Sequence, residues 1–150
     1  MSHIIHQMPL NVKHSVMIGE FYRLSHRTRA IVLYVSSLLL NKYNRIPVWT
    51  EFLRTQDQQD LYYKKEIEAG KVVSGSDGVP HYSLNGTRPT ISVHQLFRGA
   101  DLSRRNLSDN IIEYIKEDVN AVFPYGKEGY STSIFHQVYG KAHLHFQSRE

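Results

Sequence analysis

The stretch STSIFHQVYGKAHLHFQ, residues 131–147, carries the clearest hairpin pattern of the chain. The pattern alternates on both sides of Tyr139 and Gly140, where a tight turn is expected. We therefore predict a hairpin whose second strand covers residues 143–147. Because successive strand residues point to opposite faces, His143 and His145 would lie on the same face of that strand.

The chain upstream of this hairpin is dominated by helical patterns. Residues 19–43 carry apolar side chains at helical spacing, and a short strand is predicted at residues 46–50. Thr55 is a suitable N-cap for a further helix that Gly70 ends. Ser108 is a suitable N-cap for another, in which four apolar residues share one face: Ile111, Ile115, Val119 and Val122. Helices first, then strands mixed with helices, predict an α+β fold.

Residues 70–89 are rich in Gly and Pro and contain no clear periodic pattern. A structureless connection of this length is unusual inside one domain. The segment is therefore interpreted as either a binding loop or a loosely held insertion.

Composition limits the classes of protein to which the chain can belong. Its 150 residues are the size of one domain, covering residues 1–150, and the formal net charge is +4. It contains nine His and no Cys, which excludes disulfides, thiolate metal sites and a thiol nucleophile. No apolar run is long enough to span a bilayer, and the N-terminus lacks a signal-peptide pattern. We expect a protein that is made in the cytoplasm and does not enter a membrane.

Three residues form a candidate metal-ligand set. A catalytic zinc ion typically takes three protein ligands and keeps an open position for water, and His94, Asp101 and His145 can supply such a set. His143, two residues before His145, would then be a second imidazole beside the metal. The same residues also fit a simpler interpretation: surface histidines on a strand, a loop histidine, and an aspartate that caps a helix.

Three motifs in order resemble those of the zinc D-Ala-D-Ala carboxypeptidases and L-alanyl-D-glutamate endolysins, which share the hedgehog/DD-peptidase fold. They are an Arg-Thr pair followed by Gln and Tyr on a helix, a Ser-x-His segment followed by Asp, and a last strand with His-x-His. The resemblance extends from about residue 46 to residue 147. The matching residues are Arg54, Thr55, Gln59, Tyr63, Ser92, His94, Asp101, His143 and His145.

This resemblance implies a small antiparallel sheet with flanking helices and a Zn²⁺ ion held by His94, Asp101 and His145. It implies a peptidase acting on the stem peptide of peptidoglycan, similar to phage-type enzymes that lyse the cell wall and act on the wall or in the virion. Arg54 would bind a substrate carboxylate or a developing oxyanion, and Ser92 would assist substrate binding. His143 would be the acid or base. We expect a monomer with no nucleic-acid partner.

The chain departs from the family pattern at three positions. Phe97 stands where the family usually has Gly, and Gly99 stands where it usually has Ala. Ala142 occupies the position, three before His145, at which many members carry an acidic general base. Glu51 is a further candidate for that role, although the simpler interpretation is a solvent-facing acid.

Two other functions remain open from the sequence. The missing acid is compatible with a catalytically inactive zinc-binding module of the same fold, used for recognition. A small basic nucleic-acid binder is a weaker alternative, because the Lys and Arg residues are scattered along the chain.

Overall fold

The computed structural model describes residues 10–55, 58, 93, 94, 96–138 and 141–150. This part of the chain contains three helices and four strands: α1 (Met17–Phe21), α2 (His26–Tyr43), β1 (Trp49–Glu51), β2 (Gly99–Ser103), α3 (Asp109–Val122), β3 (Ser133–Val138) and β4 (Lys141–Gln147). The predicted α+β class is confirmed here. Several predictions lie outside the described residues: the helix from Thr55 to Gly70, the segment 70–89, Gln59, Tyr63, Ser92, and the turn at Tyr139 and Gly140.

Helix α2 begins at His26 because Ser25 caps it. The Ser25 Oγ accepts the backbone N–H of Thr28 at 3.3 Å, which satisfies one of the free donors of the first turn. At the other end, Asn44 adopts the left-handed conformation with φ 52° and terminates the helix. The apolar spacing seen from residue 19 onward therefore spans two helices, α1 and α2. No described helix is both long and apolar enough to cross a membrane.

Helix α3 follows the prediction at its start and departs from it at its end. The Ser108 Oγ accepts the N–H of Ile111 at 3.3 Å, as expected of an N-cap. Of the four apolar residues assigned to one face, Ile111, Ile115 and Val119 are buried, whereas Val122 is 50% exposed. It is the last residue of α3, and the next residue, Phe123, packs against the core in its place.

The four strands form one antiparallel sheet in the order β1-β2-β4-β3. Strands β3 and β4 pair from Val138 and Lys141 outward, which confirms the predicted hairpin. Strand β2, between β1 and β4, joins the hairpin to the earlier part of the chain.

One face of the sheet packs against the helices. Leu102 of β2 pairs with Leu144 of β4, and both are fully buried in the same apolar cluster as the buried faces of α2 and α3. Trp49 of β1 joins this cluster, and its indole Nε1 donates to Ser36 Oγ of α2 at 2.9 Å. Because side chains alternate along a strand, the residues next to these leucines point to the other face.

Candidate metal centre

The face of the sheet opposite the core carries a row of polar side chains. The register places Glu51 of β1 opposite Asp101 of β2, and Asp101 opposite His145 of β4. Residues paired across antiparallel strands project to the same face, so these three side chains lie side by side. The sheet thus joins residues from three distant parts of the sequence into one row.

A β-bulge in β1 makes this row possible. Trp49 pairs with Leu102 and Glu51 with Asp101, so two steps along β1 correspond to one step along β2. In a regular strand Trp49 and Glu51 would share a face. The bulge instead allows Trp49 to enter the core while Glu51 faces the polar row.

His94 reaches the row from a turn immediately before β2. The N–H of Arg98 donates to the Val93 carbonyl at 3.0 Å and closes that turn. A Cβ added at Gly99 would lie 2.9 Å from Val93 Cγ2 and 3.1 Å from His94 Nδ1. Gly99 is therefore required for the close approach of the His94 ring to β2.

The same turn contains a residue in the left-handed conformation. Phe97 has φ 62°, a region that non-glycine residues enter only at an energetic cost. Its carbonyl accepts the N–H of Ser25 at 2.8 Å, which ties the turn to the start of α2. The Arg23 guanidinium also lies 5.0 Å from the centre of the Phe97 ring. These contacts hold the turn that carries His94.

His94, Asp101 and His145 form a compact buried cluster. His145 Nδ1 lies 2.8 Å from Asp101 Oδ1, and His94 Nε2 lies 3.3 Å from Asp101 Oδ2. One ligand atom from each residue lies within 4.8 Å of the others. The three residues are 3%, 6% and 2% exposed, so the cluster is removed from solvent. Metal-ligating histidines and carboxylates require this kind of proximity.

The hydrogen bonds around His94 determine which of its nitrogens can bind a cation. His94 Nδ1 lies 3.0 Å from the Phe52 carbonyl, which can only accept, so Nδ1 carries the hydrogen. In the neutral ring, Nε2 then presents a lone pair to the Asp101 carboxylate. Two acceptors facing each other inside a protein require a proton or a metal ion between them.

The electrostatics of the cluster favour added positive charge. Burial lowers the pKa of His94, but the charges of Asp101 and Glu51 outweigh it and raise the pKa overall. Burial likewise raises the pKa of Asp101, but His94 and His145 hold it well below its usual range. Asp101 is therefore a carboxylate in this site, and it attracts a cation.

Two further histidines from the hairpin stand beside the cluster. His143 Nε2 lies 3.5 Å from Asp101 Oδ2, and the His136 ring stacks on that of His145 with centroids 4.9 Å apart. Burial, with the nearby charge of His145, lowers the pKa of His136 to about 4, and burial also lowers that of His143. Both rings are thus neutral near pH 7 and do not repel a cation.

Glu51 and Arg54 occupy the other side of the cluster. Glu51 Oε1 lies 3.5 Å from His94 Nε2 and accepts a hydrogen bond from Arg54 Nη2. The Glu51 side chain is only 18% exposed. The simpler interpretation of Glu51 as a solvent-facing acid is therefore wrong, because the bulge turns this side chain inward.

The donor set of the cluster fits a borderline divalent metal such as Zn²⁺. Two imidazole nitrogens and one carboxylate oxygen, without thiolates, are a usual ligand set for a catalytic zinc. His94 satisfies the further requirement that a ligating histidine donates its other ring N–H to a protein acceptor. The cluster can therefore hold a metal ion.

The structure brings together most of the site residues predicted from the sequence. These are His94, Asp101, His143, His145 and Arg54, whereas Ser92 lies outside the described residues. Sequence reasoning missed His136 and Gln147, which both contact the His145 ring. The pairing of the two hairpin strands was the signal that could have revealed His136, because it stands opposite His143.

The chain was compared with models of protein families, with curated proteins and with solved structures. No model of a protein family matches the chain, and neither does any curated protein or solved structure.

Proposed function

We propose that this protein is a zinc-dependent peptidase of peptidoglycan, with the hedgehog/DD-peptidase fold and the role of a phage-type wall-lytic enzyme. The cleavage would be of the D-Ala-D-Ala carboxypeptidase or L-alanyl-D-glutamate endopeptidase type. The observation that carries the proposal is the buried cluster of His94, Asp101 and His145, in which His94 directs an acceptor nitrogen at Asp101. A proton on His94 or a bound metal ion would satisfy this contact, and the two histidines with one carboxylate supply the ligands that zinc uses.

The turn before β2 gives additional support to the resemblance. The family usually has Gly where this chain has Phe97, and the residue at that position adopts a left-handed conformation here, which favours Gly. A glycine would adopt this conformation without strain, which agrees with a motif that usually has Gly at this position.

The proposed chemistry divides among the residues around the cluster. Bound zinc would polarise the scissile carbonyl and make water a better nucleophile near neutral pH. Arg54 has five N–H donors, so it can hold Glu51 and still bind a substrate carboxylate or a developing oxyanion. Glu51 and His143, on opposite sides of the cluster, are candidates to accept the proton from the attacking water.

Position 142 cannot supply the general base that many family members carry there, which is a departure from the family pattern. Ala142 is three residues before His145 on a regular strand, so its side chain lies on the opposite face of β4. An acid there would face away from the cluster. Glu51, delivered by the bulge in β1, supplies a carboxylate on the correct face.

The experiment combines metal analysis with incubation on purified wall material. Wild type should hold about one zinc per chain, and a chelator should abolish release of wall peptides. His145→Ala should lose both zinc and activity, and His143→Ala should keep zinc and lose activity. His14→Ala, which replaces an exposed histidine, serves as the matched control and should keep both.

The results that would contradict the proposal are specific. Zinc content unchanged in His145→Ala would refute the ligand assignment. Wall peptides left intact by a zinc-loaded wild-type chain would refute the peptidase and leave the second candidate, a non-catalytic zinc-binding module used for recognition.

A further inference from the structure

Gln147 is buried at the end of β4, on the same face of the strand as His145. It is fully buried, and its side chain spans from the His145 ring to the backbone of Ser131. A buried amide of this kind must have its hydrogen bonds satisfied, so its orientation is informative.

The bond to Ser131 determines the orientation of the Gln147 amide. The Ser131 carbonyl can only accept, so the group that faces it at 2.9 Å is the NH₂ of Gln147. The amide oxygen, Oε1, must then face His145. It lies 3.1 Å from His145 Nε2.

This orientation in turn determines the hydrogen on the His145 ring. Because Oε1 of Gln147 can only accept, His145 Nε2 carries the hydrogen and donates it. The other nitrogen, Nδ1, points at Asp101 Oδ1 from 2.8 Å, where the proposed metal would be held. Gln147 thus acts on His145 as the Phe52 carbonyl acts on His94, by occupying the outer nitrogen.

We propose that Gln147 is a positioning residue for the metal centre: the chain from Ser131 through Gln147 to His145 commits His145 Nδ1 to metal binding. The proposal rests on the proposed function only in requiring that the cluster binds zinc. It does not depend on which bond is cleaved or on whether the protein is catalytic.

The test compares two substitutions at this position. Gln147→Met is close in size but removes the acceptor, and zinc affinity measured by competition with a chelator should fall roughly 10–100-fold. Gln147→Glu keeps an acceptor for His145 but loses the donor to Ser131 and buries a carboxylate, so the fold should lose stability while zinc affinity stays near that of wild type. Ser36→Ala, which removes a buried hydrogen bond on the other face of the sheet, is the control and should not change zinc affinity.

A second measurement reports directly which nitrogen of the His145 ring is protonated. Nitrogen chemical shifts of the His145 imidazole, measured by NMR, should show Nε2 protonated in wild type with and without zinc. In Gln147→Met, zinc-free protein should lose this preference.

The outcomes separate the two proposals. Equal zinc affinity in wild type and Gln147→Met would overturn the positioning role, as would equal losses in the Met and Glu variants, which would show a merely structural role. A wild-type chain that binds no zinc would refute the proposed function. The NMR measurement would then decide whether Gln147 determines which nitrogen of the His145 ring is protonated.

Discussion

Glu51 illustrates how a single residue acquires a role from its surroundings. Its sequence context is that of an ordinary acid at the end of a short strand. In the fold its carboxylate lies 3.5 Å from His94 Nε2 and is held by Arg54. The position is suited to accepting a proton beside a metal and is less suited to binding the metal, because Glu51 stands outside the three-residue cluster.

Replacing Glu51 with Gln tests its catalytic role. If Glu51 accepts the proton, Glu51→Gln should lower the rate of wall-peptide release by roughly 10²–10⁴-fold, the usual contribution of a general base. Zinc affinity should change little, because the ligands remain. Rates are measured by release of soluble peptides and affinity by chelator competition. Full activity in this variant would show that Glu51 is not the general base and would leave His143 as the candidate.

Gly99 is predicted to be essential for the position of His94. Gly99→Ala would place a Cβ 2.9 Å from the stiff Val93 side chain, and the His94 turn would have to move. We expect a loss of stability of about 1–3 kcal/mol from overpacking, together with weaker zinc binding. Urea unfolding and chelator competition measure the two effects.

Gly19 offers the matched control for this substitution. It lies in α1, and a Cβ added there would meet no atom within 4 Å, so Gly19→Ala should be neutral or stabilise the fold by about 0.5–1 kcal/mol. Zinc binding unchanged in Gly99→Ala would show that the close approach to His94 does not matter.

At the scale of elements, helices α2 and α3 are joined by a polar contact beside their apolar faces. Tyr34 of α2 donates its hydroxyl hydrogen to the Asp118 carboxylate of α3, and its ring packs edge-on against Phe123. The hydrogen bond to Asp118 is the main cause that raises the pKa of Tyr34 to about 12. The contact therefore makes the stability of the helix pair depend on pH in the alkaline range.

The direction of this pH dependence follows from proton uptake. In the unfolded chain Tyr34 loses its proton near pH 10, whereas the folded state keeps it to about pH 12. The stabilisation from this group is thus complete below pH 10 and is lost as the pH rises from 10 to 12. Tyr34→Phe should remove this part of the alkaline loss, measured by urea unfolding across that range. An identical pH slope in the variant would contradict the assignment.

At the scale of the whole molecule, the sheet assembles the candidate site from segments far apart in sequence. Glu51, Asp101 and His145 come from three strands, and His94 from a turn. A metal ion that binds only this assembled arrangement stabilises the fold as a whole, because the unfolded chain does not hold these residues together.

Metal removal should therefore lower global stability. With free zinc at 100 times its dissociation constant, the folded state gains about 2.7 kcal/mol, and a chelator should remove this gain. The measurement is the urea midpoint with zinc and with chelator. His145→Ala should show the same midpoint under both conditions, and a wild-type midpoint insensitive to zinc would argue against a metal in the cluster.

The sequence by itself determined the parts of this protein that depend on local chemistry. Apolar spacing indicated the helical stretch that contains α2, the cap at Ser108 indicated the start of α3, and alternation indicated the β3–β4 hairpin, since these patterns act within one element. The absence of Cys limited any metal site to His and carboxylates. Motif order suggested His94, Asp101 and His145 as a group before any geometry was known.

Only the tertiary structure decided which side chains surround that group. The bulge that turns Glu51 inward and the pairings that place Asp101 between Glu51 and His145 depend on the register of β1, β2 and β4. Register is set by contacts between residues far apart in the chain, and a shift of one residue would send each of these side chains to the other face. Local sequence patterns carry no information about such pairings, so the surroundings of the site could be read only from the fold.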